Sequence, residues 1–181
     1  NPIFILLFAP LFALLWTYSG RKGWEPSTPV KFGLGLLQLG LGFAALWYGA
    51  SMADERGMVA LPWLLLGYLL HTTGELCLSP VGLSMVTRLS PARIVSTVMG
   101  AWFLATAFSA YLAGIIATFT GVSHGGDRGS AVPAPTETVD IYGSVFGQIA
   151  MAAVISALII FILAPKLTQW MHEGENGQES A

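Results

Sequence analysis

The chain has 181 residues, of which 54% are apolar and 10% charged, with a formal net charge of −2. An average soluble domain carries about 25% charged residues, so this balance excludes an ordinary soluble domain and leaves no basic surface for nucleic acid. Cys77 is the single cysteine and lies in an apolar run, which excludes a disulfide framework within the chain.

The charges fall in clumps separated by long apolar runs. These runs are too long for tilted barrel strands and lack two-residue alternation. The fold class is therefore an all-α membrane protein. The chain opens at Asn1-Pro2 without Met, a charged leader or a signal peptide, and is expected to be the tail of a longer polypeptide.

Five spans are predicted, each near the ~20 apolar residues that a bilayer needs. The first covers residues 3–18 and contains Pro10; a loop with Arg21, Lys22, Pro26, Pro29 and Lys31 follows. The second covers residues 32–52, and Asp54-Glu55-Arg56-Gly57 reads as a tight turn. The third, residues 58–89, is long enough to tilt or bend; Ser90-Pro91-Ala92-Arg93 connects it to the fourth, residues 94–120. A Gly-, Pro-, Ser- and Thr-rich linker leads to the fifth span, residues 142–163. No function is assigned to the linker segment Val122 to Val139. The acidic tail, residues 172–181, is expected to be disordered.

Counted by alternate connections, Arg21, Lys22, Lys31, Arg88, Arg93 and Lys166 lie on one side, Arg56 and Arg128 on the other. The positive-inside rule puts the first set, and with it the C-terminus, in the cytoplasm. Five spans and an abrupt start suggest a six-span half that lacks its first helix, as in a twelve-helix facilitator built from two such halves.

The third span carries the chemistry. Glu75 is the one acidic residue inside any span. Seventeen residues from Met58 make about 25 Å of helix, which places it roughly mid-membrane. An acidic side chain there costs roughly 2.5–3.5 kcal/mol on insertion scales, so function is favoured over a structural carboxylate. Five residues on, Pro80 removes a backbone donor and frees the carbonyl of Leu76. Pro80 and Gly82 are the expected bend. His71, Glu75 and Ser79 are spaced four apart and share a face, with Gly67, Gly74 and Gly82 on or beside it and Leu65, Leu69, Leu76 and Leu83 opposite. A polar, small-residue stripe backed by leucines reads as a cavity-lining helix. For Ser79, ligand contact competes with a hydroxyl bonded back to its own helix. His71 reads as packing before it reads as a proton site.

On the fourth span, Trp102 lies near mid-depth, with Thr106 and Ser109 continuing its face; a cavity contact and a packing anchor are both open. Asn1 and Pro2 read as a helix start, or as an internal polar position if the helix begins earlier. Gly35, Gly42 and Gly49 recur every seven residues and read as a packing seam. Enzyme readings are weak: the three histidines are scattered, and Gly125 to Ser130 lacks the lysine and spacing of a phosphate loop. No metal or cofactor is expected.

The run Gly74-Glu75-Leu76-Cys77-Leu78-Ser79-Pro80-Val81-Gly82-Leu83-Ser84, then Thr87 to Pro91 and Met99 to Leu104, resembles the proton-dependent oligopeptide transporters of the major facilitator superfamily. Asn1-Pro2 and Ala9 to Trp16 resemble that family's eighth helix. The resemblance implies helices eight to twelve of a twelve-helix core in a bacterial inner membrane. It implies proton-coupled symport of di- and tripeptides by alternating access, with small peptides, protons, the lipid bilayer and the N-terminal half of the same transporter as partners. It implies that Glu75 receives the peptide's amino terminus, that Ser79 and Trp102 line the same pocket, and that Asn1 contacts the peptide backbone. The third and fourth spans would form part of the cytoplasmic gate. Where the family pattern has Gly-Asn before Tyr111 to Gly114, this chain has Ser109-Ala110. A facilitator for another small substrate, a non-transporting scaffold and a channel are the rival readings.

Overall fold

The structure, a computed structural model, describes residues 2–118 and 135–171. Five helices follow in order: α1 (Pro2–Arg21), α2 (Thr28–Ser51), α3 (Leu61–Leu89), α4 (Val95–Thr118) and α5 (Pro135–Trp170). Asn1, residues 119–134 and residues 172–181 lie outside the described residues. The expected tail and most of the polar linker fall there.

Among the described residues, four helices are long and apolar enough to cross a membrane: α1, α2, α4 and the stretch Thr138–Trp170 of α5. The exception is α3. It has 29 residues, but His71, Thr72, Thr73, Glu75 and Ser79 lower its hydropathy. The polar stripe that makes α3 interesting is also what removes it from the set.

Helix boundaries differ from the expected spans for local reasons. Thr28 and Pro29 begin α2 ahead of residue 32, with proline where no backbone donor is needed. Its α3 counterpart starts at Leu61, not at 58, because Met58 belongs to the turn. Asp54 Oδ1 accepts from the backbone N–H of Arg56 at 2.9 Å and of Met58 at 2.8 Å. Gly57 sits there at φ 73°, a conformation side chains disfavour, as the sequence of the tight turn requires. Helix α5 starts at Pro135 and runs through Pro165 to Trp170, taking in the end of the polar linker.

Three helices form the packed centre. On α2, two glycine seams face opposite ways. Gly33 and Gly40 face α5: a Cβ on Gly40 would lie 2.8 Å from Val154 and 3.2 Å from the Ala150 carbonyl. The buried Ala150, Ala153, Ala157 and Ala164 complete that contact. Gly35, Gly42 and Gly49 face α3, against Leu78 and Gly74, His71, and Trp63 respectively. The predicted seam thus has α3 as its partner. Small residues at both interfaces let the backbones approach closely, the usual driving arrangement in a membrane. Among the described residues, the backbones of α1 and α4 come close to α3 alone, and only over short stretches.

Candidate functional site

Helix α3 is held to α2 by reciprocal glycines. A Cβ on Gly74 would stand 2.8 Å from the Gly35 carbonyl, and one on Gly35 would stand 2.9 Å from the Gly74 carbonyl. One residue further along a helix is a rotation of about 100°. Gly74 therefore lies in the seam while Glu75 is carried out of it, onto an exposed flank. Ser79, one turn later, is exposed as well. Among the described residues no ion pair or hydrogen bond engages the Glu75 side chain.

Ser79 stands apart from its neighbours. Thr73, Ser84 and Thr87 all donate their hydroxyls back to their own helix, Thr73 to the Leu69 carbonyl at 2.9 Å and Ser84 to that of Val81 at 2.9 Å. No such bond is found for Ser79 among the described residues. Its hydroxyl and the Glu75 carboxylate form one exposed polar flank of α3. Pro80 lies at the end of that flank, inside a helix that continues to Leu89.

The rest of the expected stripe divides. His71 does not join the flank: its ring packs on Phe43 of α2 with centroids 4.6 Å apart, and a Cβ on Gly42 would collide with it. Gly67 meets Leu46 of α2, so it too belongs to the seam. The opposite side is less uniform than four leucines suggest, since Leu65 and Leu83 are exposed while Leu69 and Leu76 are half-buried.

Trp102 is half-buried, and the far edge of its indole fills the space over Gly82. Phe32 reaches the same glycine from α2, 3.1 Å from where its Cβ would be. Gly82 thus seats an aromatic ring from α4 as well as neighbouring Pro80. Thr106 and Ser109 bond to carbonyls of their own helix, at 3.1 and 2.8 Å. Asn1 lies outside the described residues.

Two residues of the region went unassigned in the sequence. Gln38 is half-buried on α2, and its Nε2 donates to the Leu34 carbonyl at 3.3 Å and to Cys77 Sγ at 3.5 Å. Its signal was a lone amide in an otherwise apolar run. Sequence places Lys31 in a loop, whereas the structure buries it in the first turn of α2. Among the described residues no group of three metal-ligating side chains gathers. A surface groove on α1, lined by Leu11, Leu14, Leu15, Thr17, Tyr18 and Arg21, includes none of the predicted residues.

Comparison with known proteins adds the family. A family model described as POT family matches residues 1–131. The dipeptide and tripeptide permease B of Aeromonas hydrophila subsp. hydrophila is 37% identical over 183 residues, covering 99% of this chain and 35% of the permease. A crystal structure of a peptide transporter POT in complex with sulfate superposes with a TM-score of 0.75 at 34% identity, over 93% of this chain and 30% of the transporter. A POT family transporter in complex with 5-aminolevulinic acid gives the same TM-score of 0.75 at 28% identity, with the same coverages of 93% and 30%. The chain spans about a third of the length of the curated relatives it matches.

Proposed function

This chain belongs to the POT family, and from that premise we propose that it supplies helices eight to twelve of a twelve-helix, proton-coupled carrier of di- and tripeptides. The carrier is multi-pass in a bacterial inner membrane, with the C-terminus in the cytoplasm, and works by alternating access. The N-terminal half of the same transporter completes the site. Helix α3 crosses the membrane with the others, antiparallel to α2. This reading is transport and not enzymology: the exposed flank offers one charge and one hydroxyl, a set suited to holding a ligand.

The observation that carries the proposal is the flank of α3. An intramembrane carboxylate turned away from its own helix neighbours belongs against water, substrate or further protein. A zwitterionic peptide presents an ammonium group that Glu75 can receive, and Ser79 adds a hydroxyl one turn away. Trp102, seated on Gly82, borders the same stretch of α3 from α4, and Asn1 contacts the peptide backbone. Pro80 and Gly82 let α3 bend where α3 and α4 close the cytoplasmic gate. The peptide's carboxylate needs a cation from outside this chain.

The test uses the complete transporter in liposomes with an inward proton gradient and labelled dialanine. Wild-type uptake should follow the gradient, and Glu75→Gln should lower it by roughly 100-fold, the loss of a charge-assisted contact of about 2–3 kcal/mol to the peptide. Uptake that survives the substitution would reduce Glu75 to a structural residue. A well-folded protein that moves no peptide would point to another cargo. The POT family transporter in complex with 5-aminolevulinic acid suggests the first such cargo to try.

A further inference from the structure

We infer that the α1–α2 connection is a latch, built from Glu25, Lys31 and Trp16, that fastens the end of α1 to α2. Lys31 is only 6% exposed, an unusual state for a lysine. Its ammonium pairs with Glu25 Oε1 and lies 4.8 Å from the centre of the Trp16 ring on α1. A lysine in an apolar site must either find a partner or reach water.

The chain is shaped to deliver that partner. Helix α1 ends in a reversal at Gly23, where φ is 68°. The N–H of Gly23 bonds to the Gly20 carbonyl at 3.1 Å, and that of Trp24 to the Ser19 carbonyl at 3.0 Å, the paired bonds of a Schellman turn. The reversal brings Glu25 back across Gly20, where a Cβ would stand 2.8 Å from the carboxylate. A side chain at 20 would push the carboxylate away; glycine leaves it room. At the other end, the Lys31 N–H bonds to the Ser27 carbonyl at 3.0 Å and fixes the lysine in the first turn of α2.

The consequence is mechanical. By backbone approach α1 nears α3 alone, and only briefly. The link through Trp16, Lys31 and Glu25 instead joins it to α2, which is packed along α5. When α3 flexes at Pro80, this end of α1 stays with the α2–α5 layer. The inference concerns how the loop docks and does not depend on what the protein transports.

Amide hydrogen exchange of the full-length protein in lipid nanodiscs tests it. Glu25→Gln strands Lys31, so the amides of Lys22 to Trp24 should exchange about tenfold faster as the loop opens to hydrate the cation. The Arg56–Met58 turn, closed by Asp54, should exchange as in the wild type. Glu25→Gln combined with Lys31→Met, which removes the stranded cation and leaves an apolar chain against Trp16, should return the loop to within about threefold of the wild-type rate. Unchanged exchange in Glu25→Gln overturns the latch. So does a double variant as fast as the single, or acceleration that spreads equally to the Arg56–Met58 turn.

Discussion

Ser79 and Ser84 stand on the same helix, yet only Ser84 spends its hydroxyl on the carbonyl of Val81, at 2.9 Å. A hydroxyl bonded to its own helix contributes to that helix, whereas one left open on a flank is available to a ligand. Ser79→Ala is therefore expected to change folding stability by less than about 0.5 kcal/mol. In the complete transporter it should weaken dialanine binding by about 1 kcal/mol, some fivefold, if the hydroxyl donates to the peptide. Thermal unfolding and a competition assay on the same preparation separate the two effects. An unchanged affinity would remove Ser79 from the site. His71 shows the opposite outcome. Four residues from Glu75, it shares a helix face with it by spacing, but the seam takes it to Phe43. Its place is in packing.

At the scale of the element, α2 explains the orientation of α3. Its glycines at 33 and 40 and at 35, 42 and 49 lie on opposite faces, because two residues turn a helix by about 200°. One helix thus receives α5 and α3 at once, each at backbone distance. The Gly35–Gly74 contact is the tightest constraint on α3, since each Cβ would meet a carbonyl oxygen that cannot swing aside. Gly74→Ala should cost about 1–3 kcal/mol from overpacking, against a gain of up to about 1 kcal/mol in helix propensity. The expected net result is a lower Tm in detergent. Gly100→Ala on α4 meets nothing within 4 Å in this chain and should leave the Tm of this chain unchanged or raised. If Gly74→Ala is as harmless as Gly100→Ala, the seam does not set the direction of α3.

Over the whole molecule, the centre is α2, α3 and α5, while neither α1 nor α4 buries a single residue. Lipid can cover apolar side chains such as Leu6, 78% exposed, or Leu104, 70% exposed. It cannot cover the Glu75 carboxylate at comparable cost. The flank of α3 thus asks for water or more protein, which agrees with a chain spanning 35% of a related permease. Expressed alone and extracted in mild detergent, this chain is expected to self-associate and elute in the void volume on size exclusion. Under the proposed twelve-helix reading, co-expression with the remaining helices of that carrier should recover a monodisperse peak. A monodisperse, protease-resistant peak from the chain alone would show that its five helices suffice by themselves.

The sequence by itself determined the membrane class, the helical periodicity, the tight turn at Gly57, the glycine seam and the motif of α3. Each is a local property, fixed by composition, by φ at a turn or by spacing along one helix. The likeness to the peptide transporters rests on local runs as well: the one around Glu75, then Thr87 to Pro91, Met99 to Leu104, and Asn1-Pro2 with Ala9 to Trp16. Tertiary structure alone decided which neighbour each helix face meets. It sent Gly74 into α2 and Glu75 out, His71 to Phe43, Trp102 onto Gly82 and Lys31 beneath Trp16. Spacing sets the angle between two side chains on a helix, but the direction in which the helix faces is set by close packing against its neighbours, through contacts between residues far apart in the chain.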